Sequence, residues 1–120
     1  MEFNQQENVQ NSIVSIEDGC VQLSHTQIEI PCFISTGFYS KVDITSLEQI
    51  DKPLLFPLST QDDIDVLLIG TGTTPKFLHP KQQVMMQQMG IGVESMNSES
   101  ACRSFNLLLS DARSVGLLLL

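Results

Sequence analysis

The apolar positions in the second half of the chain predict strands that alternate with helices. Val66–Ile69 is a continuous run of leucine and β-branched residues, which is the form of a strand buried on both faces. Ile91–Met96 and Val115–Leu120 are predicted to be the next two strands. Because crossovers between parallel strands are right-handed, we expect a β-α-β-α-β unit whose three strands are parallel.

Two helices are predicted between these strands. The first begins at about Pro80, which suits a first helical turn, and ends at Gly90. Its inward residues are expected to be Val84, Met85 and Met89. The second helix is capped by Asn97 or Ser98. Its apolar stripe falls at helical spacing on four residues: Ala101, Phe105, Leu108 and Leu109.

The first half of the chain predicts β structure. Ile13–Ile16 and Cys20–Leu23 flank Asp18-Gly19, a pair that supplies the positive φ angles of a tight hairpin turn. After this hairpin, apolar residues alternate with polar ones, which indicates a strand with one face on the core. Further strands of the same sheet are predicted at three places: Ile28 to Ile30, Phe33-Ile34 and Phe38–Ile44.

The connection between the two halves is less regular. Thr45–Asp51 predicts a single helical turn, because Ser46 and Gln49 match a capping box and Pro53 blocks continuation. Leu54–Leu58 is ambiguous from its pattern alone. The turn therefore separates a β-rich half from an α/β half.

Three aspartates, Asp62, Asp63 and Asp65, directly precede the strand at Val66. They would either hold a metal ion or remain solvated, as charges that flank an apolar strand and oppose its aggregation. The segment lacks the glycine and the terminal glutamate of a calcium-binding loop. We interpret the aspartates as solvated charges and predict no metal site.

Length and composition favour one compact α/β domain over residues 13–120. The chain has 120 residues, 42% of them hydrophobic and 17% charged, which suits one ordinary hydrophobic core. Residues 1–12 are polar and amide-rich, and we interpret them as a flexible tail and not as a secretory signal. The longest apolar runs are far shorter than the roughly 20 residues that a membrane-spanning helix needs. We therefore expect a soluble protein without membrane insertion.

Charge and cysteine content narrow the partners and the compartment. A formal net charge of −8 disfavours nucleic acid and anionic membrane surfaces, because both repel an acidic protein. Cys20, Cys32 and Cys102 are odd in number and widely spaced, so they indicate neither a disulfide framework nor a zinc site. The simplest location is the cytoplasm, and no cofactor is predicted.

A binding site is predicted where the parallel strands end. The loop Gly70–Leu78 and the turn Asn97–Arg103 would both emerge at this edge of the sheet, where open α/β sheets bind ligands. Two helix N-termini and the guanidinium of Arg103 would then favour a small anion. The predicted site requires that these two segments lie on one rim of the sheet.

Known phosphate motifs fit this loop poorly. Gly70-x-Gly72 resembles the opening of a dinucleotide fingerprint, but Pro75 stands at its third glycine position and no ribose-binding acid follows. The P-loop spacing of glycine, lysine and serine or threonine is also missing. We interpret the loop as a structural turn, with ligand contact as the alternative.

Thiol chemistry at Cys102 is a further alternative. A cysteine in the first turn of a helix beside Arg103 can have a lowered pKa, and His79 would be a conceivable base. Against this, Cys102 also falls on the apolar stripe as a small buried residue, and His79 suits a loop or a helix cap. Arg103 would either bind a ligand or pair with Glu99, four residues earlier.

Four segments together resemble a known family of uncharacterised domains. They are Val66-Leu-Leu-Ile-Gly-Thr-Gly, Phe77-Leu-His-Pro, Gly90-Ile-Gly-Val-Glu-Ser-Met and Ser100-Ala-Cys-Arg-Ser-Phe-Asn. The family includes mitochondrial respiratory complex I assembly factor 3, and this chain resembles a stand-alone bacterial member. The resemblance implies a mixed central sheet with helices on one side and an N-terminal β-hairpin region. It also implies that most relatives, especially prokaryotic ones, have no established activity, while the mitochondrial member acts as an assembly protein and not as a demonstrated enzyme.

Two functions follow from these observations. The first is a non-enzymatic interaction or assembly protein, with a protein partner at the edge formed by the Gly70 loop and the Cys102 helix. The alternative is a small-molecule or anion-binding domain that uses Gly70–Thr73 and Arg103. No catalytic residue is predicted. The candidate ligand- or partner-binding residues are Gly70, Thr71, Gly72, Thr73, Phe77, Cys102, Arg103 and Asn106.

Overall fold

We describe the fold from a computed structural model, in which residues 10–120 are described. They form a three-stranded sheet, a five-stranded sheet and three α-helices, which confirms the α/β class. The strands are β1 (Ile13–Glu17), β2 (Cys20–Leu23), β3 (Gln27–Glu29), β4 (Cys32–Ser35), β5 (Tyr39–Lys41), β6 (Val66–Gly70), β7 (Gly92–Met96) and β8 (Val115–Leu119). The helices are α1 (Lys52–Ser59), α2 (Pro80–Gln88) and α3 (Ser98–Ser110).

The five-stranded sheet has the order β5-β4-β8-β6-β7. β6 is parallel to both β7 and β8, so the predicted β-α-β-α-β unit with three parallel strands is confirmed. β4 joins this unit antiparallel to β8, which makes the central sheet mixed. The carboxyl ends of the three parallel strands consequently face one edge of the sheet.

Helices cover both faces of this sheet, so the expectation of helices on one side was wrong. Alternate residues of β6 and β8 belong to different hydrophobic clusters, because successive side chains of a strand point to opposite faces. On one face, Leu68 and Leu117 pack with Phe105 of α3 and with the three-stranded sheet. On the other face, Leu67 packs in a cluster that includes Met86 of α2.

The predicted hairpin is present as β1 and β2. Its two turn residues have left-handed φ angles, 53° at Asp18 and 75° at Gly19, which is the conformation of a type I′ turn. β3 adds to β2 to complete the three-stranded sheet. The segments at Phe33-Ile34 and Phe38–Ile44 do not extend that sheet as predicted, because β4 and β5 join the five-stranded sheet through β8.

The connection contains more helix than the pattern predicted. Leu47–Gln49 forms the predicted single turn, as a 3₁₀ helix whose capping box joins Ser46 and Gln49. Pro53 does not end helical structure here, because it stands in the first turn of α1, where the missing N–H costs nothing. The carboxylate of Asp51 caps that helix by accepting from the N–H of Leu54 at 2.9 Å.

α2 turns a different side to the core from the one predicted. Met86 is its fully buried residue, whereas Val84 is 49% exposed and Met85 and Met89 are only half-buried. The helix is short and rich in glutamine, so its few apolar residues define no single stripe. Gly90 follows its end with a φ of 79°, as the left-handed end of a helix requires.

α3 matches its predicted stripe. Asn97 is its N-cap, and Ala101, Phe105 and Leu109 are buried while Leu108 is half-buried. Helix and sheet therefore fix the position of the residues at the start of α3.

Asp62 has a structural role that the sequence did not indicate. Its carboxylate accepts hydrogen bonds from the hydroxyl of Ser35 at 2.6 Å and from the N–H of Gly37 at 2.9 Å. It therefore holds the turn between β4 and β5. Asp63 and Asp65 are exposed, as solvated charges are.

Most of the predicted tail at residues 1–12 lies outside the described residues, which begin at Gln10. Asn11 is 3% exposed, and its amide donates to the carbonyls of Ser35 and Phe38 at 3.0 and 3.2 Å. Its amide oxygen lies 2.8 Å from Nε2 of His25. Asn11 thus joins two turns of the fold.

Candidate functional site

The turn after β6 and the start of α3 lie on one rim of the five-stranded sheet. The N–H of Ser98 donates to the carbonyl of Gly72 at 2.8 Å, and the Ser98 hydroxyl accepts from the N–H of Gly72 at 2.8 Å. The N–H of Thr71 donates to the carbonyl of Met96, at the end of β7, at 2.9 Å. The predicted meeting of these two segments at a common rim is confirmed.

The two glycines of this turn are explained by packing and conformation. A Cβ atom at Gly70 would lie 2.7 Å from Cδ2 of Leu119 and 2.9 Å from the Cα of Ser98, closer than real Cβ atoms approach other atoms. Gly72 has a φ of 82°, in the left-handed region that favours glycine. These observations favour the interpretation of Gly70-x-Gly72 as a structural turn.

A groove of about 860 Å³ separates the rim from the β1–β2 hairpin. Gly70 is buried beneath the rim, Thr71 does not line the groove, and Phe77 is 82% exposed outside it. The structure therefore brings together five of the eight candidate residues and separates three. Those that line the groove are Gly72, Thr73, Cys102, Arg103 and Asn106.

The opposite wall of the groove was not anticipated from the sequence. It is formed by Ile13, Val14 and Ile16 of β1, together with Ile30, and Leu120 also lines the groove. The available signal was the run of apolar residues at 13, 14 and 16, which breaks the alternation expected of a one-sided strand. The break is a β-bulge between Ile13 and Ser15, and it leaves Val14 64% exposed.

Asn106 links the two walls of the groove. Its Oδ1 accepts from the N–H of Ile13 at 2.7 Å, and its Nδ2 donates to the carbonyl of Ile13 at 2.9 Å. Both polar atoms of this side chain are therefore used to hold α3 against β1. The structure assigns Asn106 a fold-stabilising contact at one end of the groove.

Arg103 is paired within its own helix. Its Nη1 lies 3.5 Å from Oε1 of Glu99, and its Nη2 donates to the hydroxyl of Ser100 at 3.2 Å. The side chains of Arg103 and Glu99 are 68% and 87% exposed, so the pair is solvated and weak. The helix-surface ion pair that was the alternative to ligand binding is thus present.

The first N–H groups of α3 are largely committed to the fold. Ser98 donates to Gly72, Ser100 donates to Oδ1 of Asn97 at 2.8 Å, and Ala101 donates to the carbonyl of Asn97 at 3.0 Å. Glu99 adds a carboxylate to this first turn. The helix start therefore offers little to an anion, and nothing in the geometry supports the predicted anion site.

Cys102 lacks the environment of a reactive thiol. It is 7% exposed, and burial raises the pKa of its thiol to about 11, in the direction opposite to nucleophilic activation. The thiol packs with Phe105 and Leu109 in the hydrophobic cluster on the α3 face. This burial agrees with the interpretation of Cys102 as a small apolar residue.

His79 serves as the N-cap of α2. Its Nδ1 accepts from the N–H of Lys81 at 3.1 Å, and Gln82 completes the capping box by accepting from the N–H of His79 at 3.0 Å. His79 is not among the residues that line the groove with Cys102. The capping alternative thus accounts for His79.

The described part of the chain, residues 10–120, contains no group of three His, Cys, Asp or Glu side chains suited to a metal ion. None of its helices combines the length and the apolar character needed to cross a membrane. The features left at the rim are a groove, an exposed apolar patch on β1 and a set of satisfied polar groups.

Residues 13–120 match a protein family described as "Protein of unknown function (DUF498/DUF598)". The chain belongs to this family. The match begins at the first residue of β1 and includes α3, so both walls of the groove lie within the family domain. It confirms the resemblance found in the sequence.

Several relatives match part of this chain in sequence. The mouse protein named NADH dehydrogenase [ubiquinone] 1 alpha subcomplex assembly factor 3 is 38% identical over 53 residues, which cover 44% of this chain and 29% of that protein. The Xenopus tropicalis protein of the same name is 33% identical over 79 residues, covering 66% and 39%. An uncharacterised Rhodobacter capsulatus protein is 40% identical over 57 residues, covering 48% and 46%. The chain thus spans less than half the length of these relatives.

Solved structures share the fold over nearly the whole chain. A Bordetella parapertussis protein has a TM-score of 0.82 and 26% identity, covering 93% of this chain and 96% of its own. A Bartonella henselae protein described as an outer membrane protein has a TM-score of 0.80 and 25% identity, covering 93% and 95%. A Bordetella pertussis protein described as a Mth938-like domain has a TM-score of 0.76 and 23% identity, covering 100% and 90%. The last of these bears on the fold alone.

Proposed function

We propose that this protein is a non-enzymatic interaction protein that acts as an assembly factor and binds a protein partner at the rim groove. Relatives named as an assembly factor support this role. They match the chain over less than half of their own length, so the proposal concerns the role and not the complex that those relatives serve. The partner surface we propose consists of the groove walls on β1 and on the first turns of α3.

One observation carries the proposal: most of the candidate groups at the rim are already used by the fold. Asn106 is bound to Ile13, Arg103 is paired with Glu99, and the Cys102 thiol is buried. A small polar ligand would therefore find few free polar groups in the groove. A polypeptide needs only the apolar surface and the exposed strand that the groove presents.

Affinity purification of the tagged chain from its source cells, with quantitative mass spectrometry, tests the proposal. We expect a partner that saturates as the bait increases and that is lost with Thr73→Trp, because Thr73 is exposed and lines the groove. Thr60→Trp, at an exposed residue outside the groove, is the matched control and should retain the partner. A partner that both variants retain would place binding elsewhere. No saturable protein partner would refute the assembly role.

We also propose a reducing location, the cytoplasm, for this protein. The thiols of Cys20, Cys32 and Cys102 are all free. Free buried thiols are typical of proteins in reducing compartments. Fractionation of the source cells followed by detection of the native chain tests this proposal, and recovery from the envelope fractions would contradict it.

A further inference from the structure

Among residues 10–120, one edge of β1 has no neighbouring strand. In this part of the chain β1 pairs with β2 alone, in a sheet of order β1-β2-β3. Gly19, directly before β2, and Leu23, at its end, form hydrogen bonds on the side of β3. The alternation of an antiparallel pair therefore points the N–H and C=O of Val21 toward β3 as well. Ile16 lies opposite Val21, and its N–H and C=O therefore point away from β2. Within residues 10–120 these two groups have no hydrogen-bond partner.

Asn106 shows that this edge accepts a peptide-like group. Its side-chain amide bonds both the N–H and the C=O of Ile13, as the backbone of an adjacent strand would. The arrangement ends there, and the edge from Val14 to Ile16 continues along the groove. An added strand would thus continue a pattern of hydrogen bonds that Asn106 begins.

The walls of the groove suit the side chains of an extended segment. Val14 is 64% exposed and Ile16 and Leu120 are half-buried, so apolar surface lies on both sides of the open edge. Side chains of a strand point alternately to its two faces. A segment with apolar residues at alternate positions would therefore bury this surface while its backbone pairs with β1.

Charge indicates which segment binds. Among the described residues that line the groove, the one cation, Arg103, is paired with Glu99. The exposed Glu17 and Asp18 lie at the hairpin end of the groove. The whole chain carries a net charge of −8. Such a field attracts basic segments and repels acidic ones.

We propose that β1 binds an extended, basic segment of a protein partner as an added fourth strand of the small sheet. This inference rests on the proposed function and specifies its binding mode. The segment has apolar side chains at alternate positions, and its backbone pairs with Ile16.

Selection of a phage-displayed library of random linear decapeptides against the full chain tests the inference. Enriched peptides are expected to be basic and to alternate apolar with polar residues. Ile16→Pro removes the outward N–H of an edge position, where proline is compatible with a strand. Enriched peptides are then synthesised, and Ile16→Pro should weaken their binding at least tenfold in fluorescence anisotropy. Ile16→Val, which keeps both the N–H and most of the apolar side chain, should stay within about threefold.

A second variant guards against misfolding of Ile16→Pro. Val14→Lys adds a positive charge at an exposed edge position and should also weaken binding at least tenfold, with Val14→Thr as its near-isosteric control. Unchanged affinity in Val14→Lys, enrichment of acidic peptides, or no enrichment at all would overturn strand addition. The proposed assembly role would survive each of these results if the chain still captures a saturable partner that Thr73→Trp loses.

Discussion

Asn106 on α3 and Ile13 on β1 form a closed pair of hydrogen bonds, 2.7 Å from Ile13 N–H to Oδ1 and 2.9 Å from Nδ2 to the Ile13 carbonyl. The two residues are 93 positions apart in the chain. This contact holds the β1–β2 hairpin against α3 at one end of the groove. The width of the groove at this end therefore depends on this side-chain amide together with the hydrophobic packing of the small sheet on α3.

Asn106→Ala is expected to lower the free energy of unfolding by about 2 kcal/mol, because two hydrogen bonds worth about 1 kcal/mol each are lost. Urea denaturation followed by circular dichroism measures the change. Arg103→Ala, at an exposed position three residues earlier in α3, is the control and should change stability by less than about 0.5 kcal/mol. Equal stability of the two variants would show that the pair does not hold α3 to β1.

Gly70→Ala tests the close contact between the end of β6 and the start of α3. The new methyl group would lie 2.9 Å from the backbone Cα of Ser98, an atom that cannot move aside alone. We expect a loss of stability of about 1–3 kcal/mol, as for overpacking in a core. At Gly37 the nearest atom to a new Cβ would be 3.9 Å away, so Gly37→Ala should be nearly neutral. A thermal-shift comparison of the two variants that shows no difference would contradict this explanation.

Local hydrophobic patterns were sufficient to predict β6 and α3. The continuous apolar run at Val66–Ile69 predicted β6, because a strand buried on both faces has no polar positions. The apolar stripe through Phe105 predicted α3, because a helix buried on one face repeats its apolar residues at helical spacing. The prediction of which side of α2 faces the core was wrong. Apolar residues at 84, 85, 86 and 89 lie on several sides of this short helix, so the pattern does not identify Met86 as the buried residue. Its orientation is decided by packing and not by local preference.

Only one wall of the groove, the rim at the ends of the parallel strands, could be predicted from the sequence. Parallel strands bring Gly72 and Ser98 together by topology alone, and that relationship could be read from the order of elements. The opposing wall could not, because the bulge at Val14 and the bonds between Asn106 and Ile13 join distant segments through tertiary contacts. The open strand edge at Ile16 follows from the order of the small sheet, in which β1 is an outer strand.

Buried thiols make stability depend on alkaline pH. Burial raises the pKa of Cys32 to about 12 and that of Cys102 to about 11, and neighbouring cysteines add to the rise at Cys32. An unfolded thiol titrates at about 8.5, so above that pH the unfolded chain releases protons that the folded chain keeps. Stability should thus be complete below about pH 8.5 and fall as pH rises toward 11.

Urea denaturation between pH 8 and 11 measures this fall. Each thiol contributes at most about 1.4 kcal/mol per pH unit, so Cys102→Ala should show a shallower decline than the parent chain. Ser104→Ala, at a half-buried position of the same helix, removes no thiol, so it is the comparison variant and should retain the steeper decline. Parallel declines in the parent chain and Cys102→Ala would exclude Cys102 as a source.

The buried side chain of Asn11 should stabilise the fold through its hydrogen bonds. Its Nδ2 donates to the carbonyls of Ser35 and Phe38, which makes its Oδ1 the acceptor and Nε2 of His25 the donor at 2.8 Å. Asn11→Ala should lower the free energy of unfolding by about 2 kcal/mol, because these bonds are lost at a buried position. Hydrogen exchange should quicken at the N–H of Ser35, in the turn that Asn11 holds. His25→Ala, which removes one bond, should cost less, and a larger loss for His25→Ala would assign the anchoring role to the histidine.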